Sequence, residues 1–215
     1  MAVSAAQLWA DNRQSVWLEA LNSYWGFVPP RNEALEKEFM QLDAAAVERM
    51  NEAEWFDFLL KKYFPWKFTA PNRLATTTSE KKGLRSNSLP HLLGVKKAIF
   101  SFDHRDIERG FHIVMGATGG IKGLGTAGAS GLLGVLFPSQ FGVVDQFLVK
   151  ALQKTEDVNV LSAVRGIKNP EQISPQNGAV LVRLLREKAA ALNSALQSDS
   201  WTPRKVDMVL WAVGH

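Results

Sequence analysis

The sequence predicts an all-α fold on three observations. Apolar residues recur at helical spacing through nearly every segment, Ser, Thr, Asn and Pro mark helix starts, and no two-residue alternation runs for more than a few positions. The first element, residues 4 to 25, carries Leu8, Trp9, Trp17, Leu18, Leu21, Tyr24 and Trp25 on one broad face, and Pro29-Pro30 ends it. A second helix is expected from about Asn32 to Met50, with Leu35, Phe39, Leu42, Ala46 and Met50 inward. Asn51 and Glu54 have the spacing of a capping box and open a third helix, Trp55 to Phe64, which Pro65 should stop. Residues 65 to 87 form the longest expected irregular stretch, and a loop of that length in a compact domain commonly carries function. One helix then follows Ser88, and another runs from about His104 to Met115. Small residues after Gly125 form the next, and a further helix reaches Lys154. A short helix near 157 to 165 leads to Ser174-Pro175 and Thr202-Pro203, each an N-cap followed by proline at the first helical position, which open the last two helices.

A chain of 215 residues, 46% hydrophobic and 21% charged, can bury one substantial core and has the balance of a soluble globular protein. No apolar run is long enough for a membrane span, and the N-terminus lacks the basic start and apolar stretch of a secretory signal. There is no cysteine, which excludes disulfides, thiol chemistry and a cysteine-ligated iron–sulfur cluster, and a cytoplasmic, monomeric protein is expected. Charge is unevenly spread. Residues 1 to 60 hold four Lys/Arg against ten Asp/Glu, residues 61 to 109 hold eleven against four, and the rest hold ten against seven. The positive field therefore sits mid-chain, where it would attract phosphates.

The chemistry-bearing stretch is residues 119 to 147, GGIKGLGTAGASGLLGVLFPSQFGVVDQF. Gly123-Leu124-Gly125 allows a tight turn at a helix start, with Gly125 expected at positive φ, and backbone N–H groups converging there form a natural phosphate site. Asp145 follows Gly125 by 20 positions. Its residue type also suits the N-cap of the helix after it, where a negative charge is favoured.

This segment resembles the helix-hairpin-helix core of the DNA glycosylase superfamily that includes endonuclease III and the adenine and 8-oxoguanine glycosylases. The match covers about fifty residues. By that resemblance Ile121, Gly123, Leu124 and Gly125 form the hairpin, Ala129 takes the small position of the second helix, and Val144-Asp145 supplies a carboxylate at the reacting sugar. Lys150 falls where the family often has a basic residue gripping the DNA backbone. Ala127 occupies the backbone-binding position at which bifunctional relatives carry a Schiff-base lysine, so lysine-dependent lyase activity is not expected. The resemblance implies a two-lobed unit spanning residues 1–215, with 1–87 plus 170–215 as the outer helical lobe and 88–169 as the hairpin lobe. It also implies double-stranded DNA with a damaged or modified base as partner, and a monovalent cation on the hairpin carbonyls as the one cofactor to consider.

Tyr63, Trp66, Lys67, Asn72 and Arg73, before and within the basic loop, combine aromatic faces with polar and cationic groups and are the candidate base pocket or DNA contact. His91, His104 and His112 lie on separate elements without metal-ligand spacing, and Asp207 with Trp211 reads as packing in the last helix. The function expected is base excision through Asp145 without a lysine nucleophile, in repair or in defence against modified foreign DNA. The alternative is a non-catalytic DNA-binding protein that keeps the turn alone.

Overall fold

The computed structural model describes residues 4–215 and is all-helical, with no strand among those residues. Helices α1 (Ala5–Ala10) and α2 (Gln14–Tyr24) replace the single long helix expected at the N-terminus, because Asp11–Arg13 turn out of helical geometry. The expected second helix is likewise two, α3 (Pro30–Met40) and α4 (Ala44–Arg49), since Asp43 accepts from the Ala45 N–H and starts a new helix. The capping box forms as expected: Asn51 accepts from Ala53 and Glu54 N–H while Glu54 accepts from Asn51 N–H, opening α5 (Glu52–Phe58).

Pro65 does not stop this helix. A π-helical turn, Leu59–Tyr63, runs straight into α6 (Phe64–Lys67). A proline ring clashes with the carbonyl four residues back, and one wider turn ahead of it relieves that clash. The stretch expected to be irregular also contains α7 (Pro71–Thr77) and a short 3₁₀ turn, Leu84–Ser86. Three threonines close α7 by turning their hydroxyls back onto the Asn72, Arg73 and Leu74 carbonyls at 2.9, 2.8 and 2.7 Å. Helices α8 (Leu89–Ser101, capped by Ser88), α9 (Ile107–Val114) and α10 (Thr126–Leu136) follow. The chain finishes with α11 (Gln146–Gln153), α12 (Val158–Val164), α13 (Pro175–Leu196) and α14 (Pro203–Gly214), the last two starting at the expected Ser174 and Thr202 caps.

The chain divides into two compact units, one made of the residues through Pro29 with Phe137–His215, the other of Pro30–Leu136. These boundaries differ from the expected 87/88 and 169/170. Residues 30 to 87 belong with the glycine turn because α4 and α5 pack on α8, and α8 packs on α9. In this second unit Trp55 stacks on Phe58 at 5.4 Å and Phe39 meets Trp66 edge-on at 5.2 Å. In the first unit α14 is central and packs against α1, α2, α11 and α13. There Trp17, fully buried, meets Trp201 edge-on at 5.5 Å, and burial of one such side chain contributes about 1.5–3 kcal/mol.

Each unit uses one buried lysine to close a six-residue helix. Lys188 of α13 donates to Trp9 O at 2.6 Å and to Asn12 Oδ1 at 2.7 Å beyond α1, with its ammonium between the rings of Trp9 and Trp17. Lys96 of α8 donates to Glu48 O at 2.6 Å and to Met50 O at the end of α4. A cation at a helix C-terminus answers both the exposed carbonyls and the helix dipole. No helix among the described residues is long and apolar enough to cross a membrane.

Candidate functional site

Helix α9 ends at Val114, and the chain from Met115 to Gly125 folds back on itself through its own backbone. Gly120 and Ile121 N–H donate to Met115 O and Val114 O, both at 2.8 Å, Gly116 N–H donates to Leu124 O at 2.9 Å, and Leu124 N–H donates to Ile121 O at 3.1 Å. Ile121 and Leu124 are buried and pin the turn to its unit. The two glycines at its end differ. Gly123 has φ +95°, and a Cβ there would run into the Thr77 carbonyl. Gly125 is not in the positive-φ region, which corrects the expectation. It is exposed, and a Cβ on it would meet nothing within 4 Å. The turn geometry thus needs glycine at 123, whereas 125 is open to an incoming group.

Helix α10 begins directly after Gly125. Ala129 N–H donates to Gly125 O at 2.8 Å, so the N–H groups of the residues before it have no acceptor within the helix. Glycine offers no side chain to cap them. Ala127 is half-buried in this first turn and Ala129 is buried within the helix. The carbonyls of Met115, Ile121 and Leu124 already accept internal donors, as does Gly120 O, which receives His91 Nε2–H at 3.0 Å.

The basic segment braces this turn. Thr77, at the end of α7, abuts Gly123. Lys122 donates through its backbone N–H to Asn87 Oδ1 and through Nζ to Ser86 O, both at 3.3 Å. Arg73, Lys81, Lys82, Arg85 and Lys122 all have exposed side chains on or beside these supports.

The candidate carboxylate belongs to the first unit. Asp145 is the N-cap of α11, and its Oδ1 accepts from Phe147 N–H at 3.0 Å and Leu148 N–H at 3.2 Å. It is half-buried at the end of an extended segment whose Phe141, Val143 and Val144 are buried. Lys150, one turn on, is exposed, donates to Gln146 Oε1 at 3.1 Å and lies 5.2 Å from the Phe147 ring centre.

Two of the proposed base-pocket residues are core residues instead. Tyr63 is fully buried and its hydroxyl donates to Gly128 O of α10; burial pushes its phenol pKa well above the usual value. Trp66 is buried, and its Nε1–H donates to the equally buried Glu36 at 2.5 Å. The helical path through Pro65 turns both rings inward, so neither can wall an open pocket. Lys67 is half-buried, while Asn72 and Arg73 stand exposed on α7 and remain available to a ligand.

Asp207, which the sequence assigns to packing in the last helix, lies in α14. It is 2% exposed, accepts from Val143 N–H at 2.7 Å and pairs with Arg204 at 2.6 Å. Its signal was a charged residue among Val206, Val209 and Leu210, with an arginine three positions earlier. Compared with known proteins, the chain matches no family model, no curated protein and no solved structure.

Proposed function

We propose that the protein is a lysine-independent DNA glycosylase with a two-lobed, helix-hairpin-helix type architecture, acting on a flipped base in double-stranded DNA. The observation that carries this reading is the start of α10. A glycine stands where a capping side chain would otherwise sit, the first-turn N–H groups lack an intrahelical acceptor, and the turn is braced by a segment bearing Arg73, Lys81, Lys82 and Arg85. Phosphate satisfies orphan N–H groups and a helix dipole together, and surrounding cations add salt-dependent affinity.

The chemical role falls to Asp145. Breaking the N-glycosidic bond leaves the bonding electrons on the departing base and positive charge on the sugar. A fixed carboxylate stabilises that charge until water adds to the sugar carbon and gives up a proton, leaving an abasic site. Ala127 cannot form an imine, so the strand should remain uncut until alkali is added. The capping bonds of Asp145 also fit the alternative, a DNA-binding protein without catalysis, in which that residue only starts α11.

Duplexes carrying single oxidised, alkylated, deaminated or otherwise modified bases, incubated with the protein and then treated with alkali, separate the two. Alkali-dependent cleavage at one class of base, lost with Asp145→Asn and giving no borohydride-trapped adduct, is the expected result. Binding to every duplex with no base release from any would leave the DNA-binding alternative.

A further inference from the structure

The chain from Phe137 to Asp145 belongs to no helix, yet much of it is buried; Gln140 and Phe141 N–H donate to Phe137 O within it, both at 2.9 Å, and its remaining backbone polar groups need partners from outside. Side chains and backbone of α13 and α14 provide them at three points. Arg204 N–H donates to Pro138 O at 3.3 Å, and Arg186 Nε donates to Gln140 O at 2.6 Å with its guanidinium 5.2 Å from the Phe141 ring centre. Nearest the candidate carboxylate, Val143 N–H donates to Asp207 Oδ2 at 2.7 Å. The other Asp207 oxygen receives Arg204 Nη1 at 2.6 Å. At Gly142 the strap comes so close that an added Cβ would lie 2.9 Å from Asp207 Oδ2.

We propose that Asp207 is a positioning residue for Asp145, an assignment that rests on the glycosylase reading. Its carboxylate, paired with Arg204, fixes the Val143 peptide. Val144 is fully buried, so a fixed peptide at 143 sets the direction in which the chain delivers Asp145 to the cap of α11. Hydrogen bonds to an ionised acceptor are stronger than neutral ones and hold geometry more tightly, and α14 is the helix on which this unit is built. Asp207 touches no reacting atom in this scheme; it acts through Asp145 alone.

The test is a double-mutant cycle on single-turnover base release, using the duplex that the modified-base panel identifies. Asp207→Asn should lower release about 10- to 100-fold with unchanged DNA affinity, because a small misplacement of a catalytic group costs that much. In an Asp145→Asn background the same change should lower the residual rate by less than about twofold, since the group through which it acts is gone. An equal factor in both backgrounds, or no effect on the wild type, would overturn the assignment. If Asp207→Asn does not fold, Val143→Pro, which removes the donated N–H while also fixing φ and replacing the valine side chain, takes its place in the cycle. Amide exchange on the wild-type protein gives a check without mutation: Val143 should exchange as slowly as the interior of α14, and rapid exchange there would contradict the anchor. No base release by the wild type from any duplex would remove the glycosylase reading itself, and this role for Asp207 with it.

Discussion

Two helix starts in this molecule solve the same problem in opposite ways. At α11 the orphan N–H groups are answered from within, by the carboxylate of Asp145, on a strap tied to α13 and α14 by Arg186, Arg204 and Asp207. At α10 the cap position is Gly125, which has no side chain to give, and the turn before it is held by its own backbone. On the proposed function the difference separates two tasks: a reacting group must be held still by many partners, whereas an anion-binding end must be left unsatisfied by the protein. Ser4, Asp43, Asn51, Ser88, Asp106, Asp157, Ser174 and Thr202 cap their helices with side chains, whereas α10 shares with α2 and α7 a start that receives none from its cap residue.

The largest expected effect is on the strap. Asp207→Ala withdraws the carboxylate from a buried arginine and from the Val143 N–H together, and loss of one partner of a buried pair costs about 3–5 kcal/mol. Chemical denaturation should report a loss of that size; a change below about 1 kcal/mol would mean that the strap is held elsewhere and the contrast with the turn is overstated. Next comes Asp145→Asn. Asparagine caps helices as well as aspartate does, so the melting temperature should barely move while base release falls ~10²-fold or more. A matching fall in stability would assign Asp145 to the cap alone.

The turn is probed by its two glycines. Gly123→Ala forces a side chain into positive φ and against the Thr77 carbonyl, and should destabilise by about 1–3 kcal/mol. Gly125→Ala meets open space and should stay within about 0.5 kcal/mol of wild type in urea unfolding while weakening DNA binding. Equal destabilisation by both would contradict the assignment of one glycine to geometry and the other to access.

Lys188 offers a smaller test of the first unit alone. Burial pushes its pKa down to about 8 from the ordinary 10.5. Between those values the unfolded chain binds more protons than the folded one, so this group makes stability rise with pH through that window. Relative to Lys188→Met, wild type should gain of order 1–2 kcal/mol between pH 8 and 10 in thermal melts. A flat difference would show that the Trp9 and Asn12 contacts offset the burial fully. The smallest effect is that of a single surface cation. Arg73→Ala should flatten the log–log salt dependence of DNA binding by about one unit, with Lys122→Ala as a second such case.

How much of this was legible in the sequence follows from the range of the interactions involved. The all-α class, the Asn51 capping box, the Ser174 and Thr202 starts and the turn between two helices are written in residues a few positions apart, and the structure has each of them. Pro65 reads as a stop because the π turn that makes room for it leaves no composition signal. The Thr76–Thr78 run looked irregular because back-bonded threonines end a helix without a glycine. Tyr63 and Trp66 read as ligand contacts because their partners, Gly128 and Glu36, lie 65 and 30 positions away. Asp207 acts across 64 positions, on a peptide with no side-chain chemistry to advertise it.

The most direct measurement of the account is a pair of titrations on one modified-base duplex, reading equilibrium affinity and saturating single-turnover base release for Gly125→Val and Asp145→Asn side by side. A clean exchange of defects is expected. Gly125→Val should lose affinity at least about tenfold because its side chain stands where a phosphate must approach, yet release base at a near wild-type rate once saturated. Asp145→Asn should bind at least as tightly as wild type and release base ~10²-fold more slowly or worse. Undiminished release by Asp145→Asn, or undiminished binding by a folded Gly125→Val, would contradict the division of labour between these two helix starts.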